Sequence, residues 1–195
     1  MDKSVAYSKE EYILTIIDQV KAYTRTILQS IFDKEPVNYM EASSLYGLIL
    51  QARHNISLLS SFYNQASDPE LRDLIKTAIY QHAVPTIENC EKLLREGGAE
   101  LPDTHFPSHP LYDKTNYPKG VQLTDMEIAI AVGNLARSSQ LILFLSLQQC
   151  YQPEILLAIS SLMSNGLQWD YQLLQLMLHR GWLPNAPKVQ QPTLH

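Results

Sequence analysis

Gln149-Cys150-Tyr151-Gln152-Pro153-Glu154-Ile155 can be written beneath Gln65-Ala66-Ser67-Asp68-Pro69-Glu70-Leu71. The glutamine, the Pro-Glu pair and the following apolar residue coincide when Pro69 is laid on Pro153. The same offset carries Ala52-Arg53 onto Ala136-Arg137, Ile75 onto Ile159, Leu94 onto Leu178 and Gly97 onto Gly181. Residues 149–184 and 65–97 therefore read as two copies of one helical unit. Such units cannot bury their apolar faces alone and organise a chain by packing on each other.

Working outward, each copy extends into a helical hairpin. Leu45, Leu48, Ile49, Ala52, Ile56, Leu59 and Phe62 recur at helical spacing, and Asn38 with Glu41 forms a capping-box start. After the turn at 66–67, Pro69 and Glu70 open a second helix. Its stripe is Leu71, Ile75, Ala78, Ile87, Cys90 and Leu94, and Gly97-Gly98 stops it. Pro85 lies inside that helix, removes one backbone hydrogen bond and predicts a kink. Thr124 and Glu127 form another capping box ahead of Ile128, Ala131, Leu135, Ile142 and Leu145. Ile155, Ile159, Leu162, Leu173 and Met177 continue the last helix to Gly181.

Residues 99–122 carry Pro102, Pro107, Pro110 and Pro118, which break regular structure. A link this long inside a compact domain is expected to cross from one end of a bundle to the other. The expectation is an all-α, ferritin-like four-helix bundle in which two antiparallel hairpins are joined by a long crossover. The single domain 1–195 divides into an N-terminal helix 9–33, a hairpin 38–98, the crossover 99–122, a hairpin 123–184 and a flexible tail 185–195. Residues 9–33 carry Ile13, Ile17, Val20, Ile27 and Ile31 on one stripe.

The chain has 195 residues, 45% of them hydrophobic and 18% charged, with a net charge of −5. The acidic balance argues against a nucleic-acid partner and against an anionic membrane surface. Uninterrupted apolar runs such as residues 141–145 are too short to span a bilayer, and residues 1–8 carry no apolar signal-peptide core. Cys90 and Cys150 read as free thiols in a reducing compartment.

Leu123-Thr124-Asp125-Met126-Glu127-Ile128-Ala129, the Pro153-Glu154 helix start, and Met177-Leu178-His179-Arg180-Gly181-Trp182 followed by Pro184 and Pro187 resemble the spore coat protein F family. That family opens with a Thr-Asp-x-x-Ile-Ala segment and closes with Lys/Arg-Gly-Trp-Tyr. Leu183 stands here where the final aromatic would be. The first hairpin is similar to related ferritin-like proteins of spore-forming bacteria with no assigned function. The resemblance implies a ferritin-like bundle, synthesis in the cytoplasm and association with the spore coat. It implies no known reaction.

A ferritin-like bundle raises the question of a dinuclear metal centre, which uses Glu-x-x-His to place two ligands on one helix face. No histidine here has a glutamate three residues before it. The remaining metal candidates are His54, His82 and Asp170, with His105 and His109 in the crossover as a weaker pair. Against these stands the plain reading that His54 and His82 are hydrogen-bonded core or stripe-edge residues. Gly166, the repeat mate of His82, would then leave room for a bulky ring. Nucleophile elbows, phosphate loops, dinucleotide fingerprints and Cys-x-x-Cys pairs are all missing from the sequence. The expectation is a coat-associated structural or assembly protein without catalytic activity and without a cofactor. It would act through helix-mediated contacts as a homo-oligomer, a dimer, or with other coat proteins, residues 9–33 being the expected place of contact. The alternative is a ferritin-like metal- or small-molecule-binding protein with a degenerate site between the helices.

Overall fold

The computed structural model describes residues 35–104, 106, 107, 109–112 and 120–183. The expected helix 9–33, the crossover residues His105 and 113–119, and the tail 185–195 lie outside the described residues. Within them the regular structure is helical: α1 (Tyr39–Gln65), α2 (Pro69–Thr77), a π-helical segment (Ala78–Ala83), α3 (Val84–Glu96), α4 (Asp125–Leu147) and α5 (Pro153–His179).

The expected caps are present. Asn38 accepts from the Met40 and Glu41 N–H groups at 2.9 Å, and Glu41 accepts from the Asn38 N–H at 3.2 Å. Thr124 and Glu127 close the second capping box in the same way, at 3.3 and 2.8 Å. Asp68 accepts from the Leu71 N–H at 3.0 Å and starts α2. At Pro85 the break takes the form of a π turn. The Val84 N–H reaches back five residues to the Ile79 carbonyl. That wider turn relieves the crowding a proline ring imposes on the preceding turn of an α-helix. Thus α2, the π segment and α3 form one rod.

In chain order the rods run up, down, down and up. Arg53 donates to the Pro102 carbonyl at 3.1 Å, Tyr112 donates to Asn64 at 2.7 Å, and Gln122 donates to the Gln65 carbonyl at 2.8 Å. The crossover thereby climbs along α1 and delivers the chain to the far end. There α4 starts beside the 66–68 turn and descends, and α5 starts beside the foot of α1 and ascends. Arg180, just past α5, pairs with Asp68 and Glu70 at 2.8 Å each.

The repeat appears as an approximate twofold axis across the middle of the bundle. Its mates are buried together: Leu71 with Ile155, Ile75 with Ile159, Leu59 with Leu143, Leu48 with Val132. The axis exchanges two apolar clusters. One is centred on Leu71, Ile75, Ile128 and Leu173, the other on Leu45, Ile49, Leu94 and Ile159.

Two carboxylates lock one hairpin to the other, and they too are repeat mates. Glu41, fully buried, accepts from the backbone N–H groups of Tyr151 and Gln152 at 2.8 and 2.7 Å. Asp125 accepts from those of Ser67 and Asp68 at 2.7 and 3.1 Å. Each acid sits in the first turn of its own helix and satisfies orphan donors leading into a helix of the other hairpin. The positive ends of two helix dipoles thus surround one negative group at each end of the bundle. Glu41→Ala is expected to lower unfolding free energy by about 3 kcal/mol, since it strands buried donors, and Asp125→Ala by about 1–2 kcal/mol. The losses should add in the double variant, because the sites lie at opposite ends of the bundle. Urea unfolding followed by circular dichroism checks this; a Glu41→Ala loss below about 1 kcal/mol would show that the clasp carries little.

Candidate functional site

The two apolar clusters do not meet. Between them lies a cavity of about 290 Å³ bounded by all four rods. Its walls include the apolar side chains of Leu48, Val132, Leu143 and Leu162. Its polar groups are neutral: the amides of Gln51, Asn55, Gln81, Asn89, Gln140 and Asn165, the hydroxyls of Thr86, Ser139 and Ser161, and the imidazole of His82. No Asp, Glu, Lys or Arg side chain lines it.

The cavity straddles the pseudo-twofold axis. Asn55 and Ser139, repeat mates 84 residues apart, are hydrogen-bonded to each other across it at 2.9 Å. Ser139 in turn donates to the Leu135 carbonyl at 2.9 Å, so the pair is anchored in α4. The π segment brings Ala78, Gln81 and His82 to the wall. Trp169 closes the opposite side, held by its indole N–H donating to the Leu74 carbonyl at 3.0 Å. The rings of His82 and Trp169 are 6.1 Å apart and tilted by 59°.

Gly166 has a different use from the one its repeat position suggests. A Cβ there would overlap the side-chain amide of Gln140 on α4. With its oxygen toward the Leu167 N–H (3.1 Å) and its nitrogen toward the Met163 carbonyl (3.3 Å), that amide lies on the exposed backbone of α5. The glycine makes room for an amide, and the His82 ring packs beside Trp169.

The sequence candidates are not brought together. His82 lines the cavity. His54 is exposed and sets its ring against Phe106 in the crossover, 5.7 Å between centroids, so it is not a wall residue. Its position near the apolar stripe of α1 did not distinguish the cavity side from the crossover side. Asp170 is half-buried and also outside the cavity wall. His109 is exposed in the crossover, and His105 is outside the described residues. Among the described residues no three His, Cys, Asp or Glu side chains gather. A dinuclear centre needs several hard carboxylate oxygens at one level, and the cavity offers one imidazole and neutral amides. The residues present do not fit that group.

The wall amides and hydroxyls carried no motif. The signal available was positional: Asn55 and Ser139 are polar repeat mates at the middle of otherwise apolar helices. Both cysteines are free. Burial pushes the Cys90 thiol up to about 12, with Cys150 and Glu91 adding to it. Burial, then Glu41, pushes Cys150 up to about 11. Both are protonated at neutral pH and poor nucleophiles.

These features define a ferritin-like all-α bundle whose centre is an uncharged polar cavity. The chain belongs to the family described as "Protein of unknown function (DUF3231)", which matches residues 25–194. It is similar to the crystal structure of a protein from Bacillus halodurans C-125 that is provisionally assigned to the spore coat. The TM-score is 0.73 and the identity 25%, over 81% of this chain and 98% of that one. A second similar structure is a two-domain protein from Anabaena variabilis ATCC 29413 with DJ-1/ThiJ/PfpI-like and ferritin-like domains. There the TM-score is 0.58 and the identity 15%, over 79% of this chain and 41% of that one. No curated protein matches the chain.

Burial holds His82 below the ordinary histidine pKa. Below about pH 6.5 the unfolded chain takes up a proton that the folded imidazole refuses. Stability therefore falls as pH drops through 6.5 toward the folded pKa. Melting temperatures between pH 7.5 and 5 should decline for the natural chain and decline less for His82→Gln. Equal slopes would place the imidazole in contact with water.

Proposed function

We propose that this chain is a spore coat-associated assembly protein that acts through helix-mediated contacts and catalyses no reaction. The observation that carries the reading is the match over nearly the whole length of a protein provisionally assigned to the spore coat, at 25% identity and a TM-score of 0.73. The chemistry of the chain supports it. The cavity contains no charged acid–base pair, and both thiols are held protonated.

The contact surface we assign is the outer face of the second hairpin, and its partner is a second copy of the chain. On α4, Ile130, Leu141, Phe144 and Leu145 are exposed; on α5, Leu156, Leu157, Leu167 and Tyr171 are exposed, Leu157 at 63%. By length and composition α4 is apolar enough to cross a membrane, with a mean hydropathy of 1.5 and 28% of that window buried. In a folded bundle so much open apolar surface marks a contact site. The first hairpin supplies the contrast: there Glu91 is tied to Arg53 and to Arg95 by ion pairs of 2.8 Å, and the crossover lies against Arg53. A self-complementary face on the second hairpin alone gives a closed pair.

A fluorescent fusion expressed in a sporulating host should collect around the forespore late in sporulation; an evenly cytoplasmic signal throughout would sink the coat assignment. Light scattering at tens of micromolar should give a dimer, and the paired change Leu145→Lys with Leu157→Lys a monomer of unchanged helicity. A monomeric natural chain would sink the self-contact and leave the coat assignment to the imaging.

A further inference from the structure

We infer that the central cavity is a binding site for a small, uncharged organic molecule, one with an apolar ring and hydrogen-bonding groups of both kinds. The inference goes beyond the coat reading and does not depend on it.

The first ground is charge. A charged ligand would surrender its hydration on entry and find no counter-charge, because no Asp, Glu, Lys or Arg lines the cavity. A neutral ligand meets no such cost.

Size and wall chemistry supply the second ground. About 290 Å³ is at the small end of the roughly 300–1,000 Å³ of small-molecule sites, enough for a single- or fused-ring compound. Asn and Gln amides present a donor and an acceptor side by side. Asn55 and Gln140 already have partners and serve as fixed wall. Gln81 and Asn165 lie at the exposed rim between the π segment and α5. The Trp169 indole, pinned to Leu74, is the aromatic part of the wall. Leu48, Val132 and Leu143 form the floor.

The third ground is the backbone. A π-helical segment is a departure from the α-helix that is frequent at functional sites, and this one, besides accommodating Pro85, supplies one wall of the cavity. A sequence selected for packing alone would join the two apolar clusters through the middle of the bundle. This one interrupts them with a polar layer in which Asn55 with Ser139, and Gln81 with Asn165, are repeat mates, and it opens that layer to solvent on one side, between the second and fourth rods.

Three near-isosteric probes separate the possibilities: benzamide (neutral), benzoate (anionic) and benzamidinium (cationic). Each is titrated into the full chain by ligand-observed magnetic resonance and by calorimetry at pH 7.5. Benzamide should bind saturably, and the two ions at least roughly tenfold more weakly. Ser161→Trp, at the cavity rim, should abolish benzamide binding, whereas Lys92→Trp, exposed on α3 outside the wall and away from the second hairpin, should leave it unchanged. Both substitutions fall on exposed positions, so circular dichroism and melting should match the natural chain. Three outcomes would each overturn the inference: no saturable benzamide binding, equal or tighter binding of either ion, or benzamide binding that survives Ser161→Trp.

Discussion

The reciprocal carboxylate clasp is what makes two helical hairpins into one bundle. An apolar stripe is not specific about depth or angle, and two hairpins with similar stripes can slide by a turn at small cost. Glu41 and Asp125 remove that freedom, because each must find two backbone N–H groups at a defined place in the opposite hairpin. With Glu41 fully buried, a slipped register would leave a charge without partners, which is far more costly than misplaced methyl groups. The Arg180 pairing with Asp68 and Glu70 adds to the lock at one end.

Pinning the bundle at both ends leaves its middle free to carry something other than hydrocarbon. The apolar clusters at the two ends hold the fully buried Leu45, Ile49, Leu71, Ile75, Ile155 and Ile159. The layer between them is built of amides, hydroxyls and one imidazole, and it lines the central cavity. Each of those groups is compatible with burial only because it is neutral and bonded or faces the cavity. Di-metal ferritin-like bundles build carboxylate and imidazole sites in the bundle core, and here the core cavity is furnished with uncharged side chains. Gly166 and the π segment are the two backbone concessions that fit this layer in.

The outer face of the second hairpin and the central cavity are separate surfaces of the same two helices. The apolar residues of α4 and α5 that point outward are offset around the helix from Val132, Leu143 and Leu162, which point inward. A contact on the outside and a ligand on the inside would therefore share the rods that position them.

Much of this was written in the sequence by itself, for local reasons. Helix starts are chemistry of a few adjacent residues, so Asn38 with Glu41 and Thr124 with Glu127 could be read directly. The repeat of Gln-x-x-x-Pro-Glu announced two hairpins, and the prolines of 99–122 announced the crossover. The tertiary structure alone decided what those residues meet. Asp125 reads as part of a helix start and is in fact the anchor of the other hairpin's turn. Gly166 reads as space for a ring and is a seat for Gln140. His54 and His82 read as a pair and face different surroundings, because the place of His54 on α1 sets it against Phe106 of the crossover while the π segment brings His82 to the cavity wall. The cavity was legible only in part, as a site between the helices that includes His82, since amides and hydroxyls have no spacing signature. Their meaning comes from convergence of four helices, and convergence is a property of the packed chain.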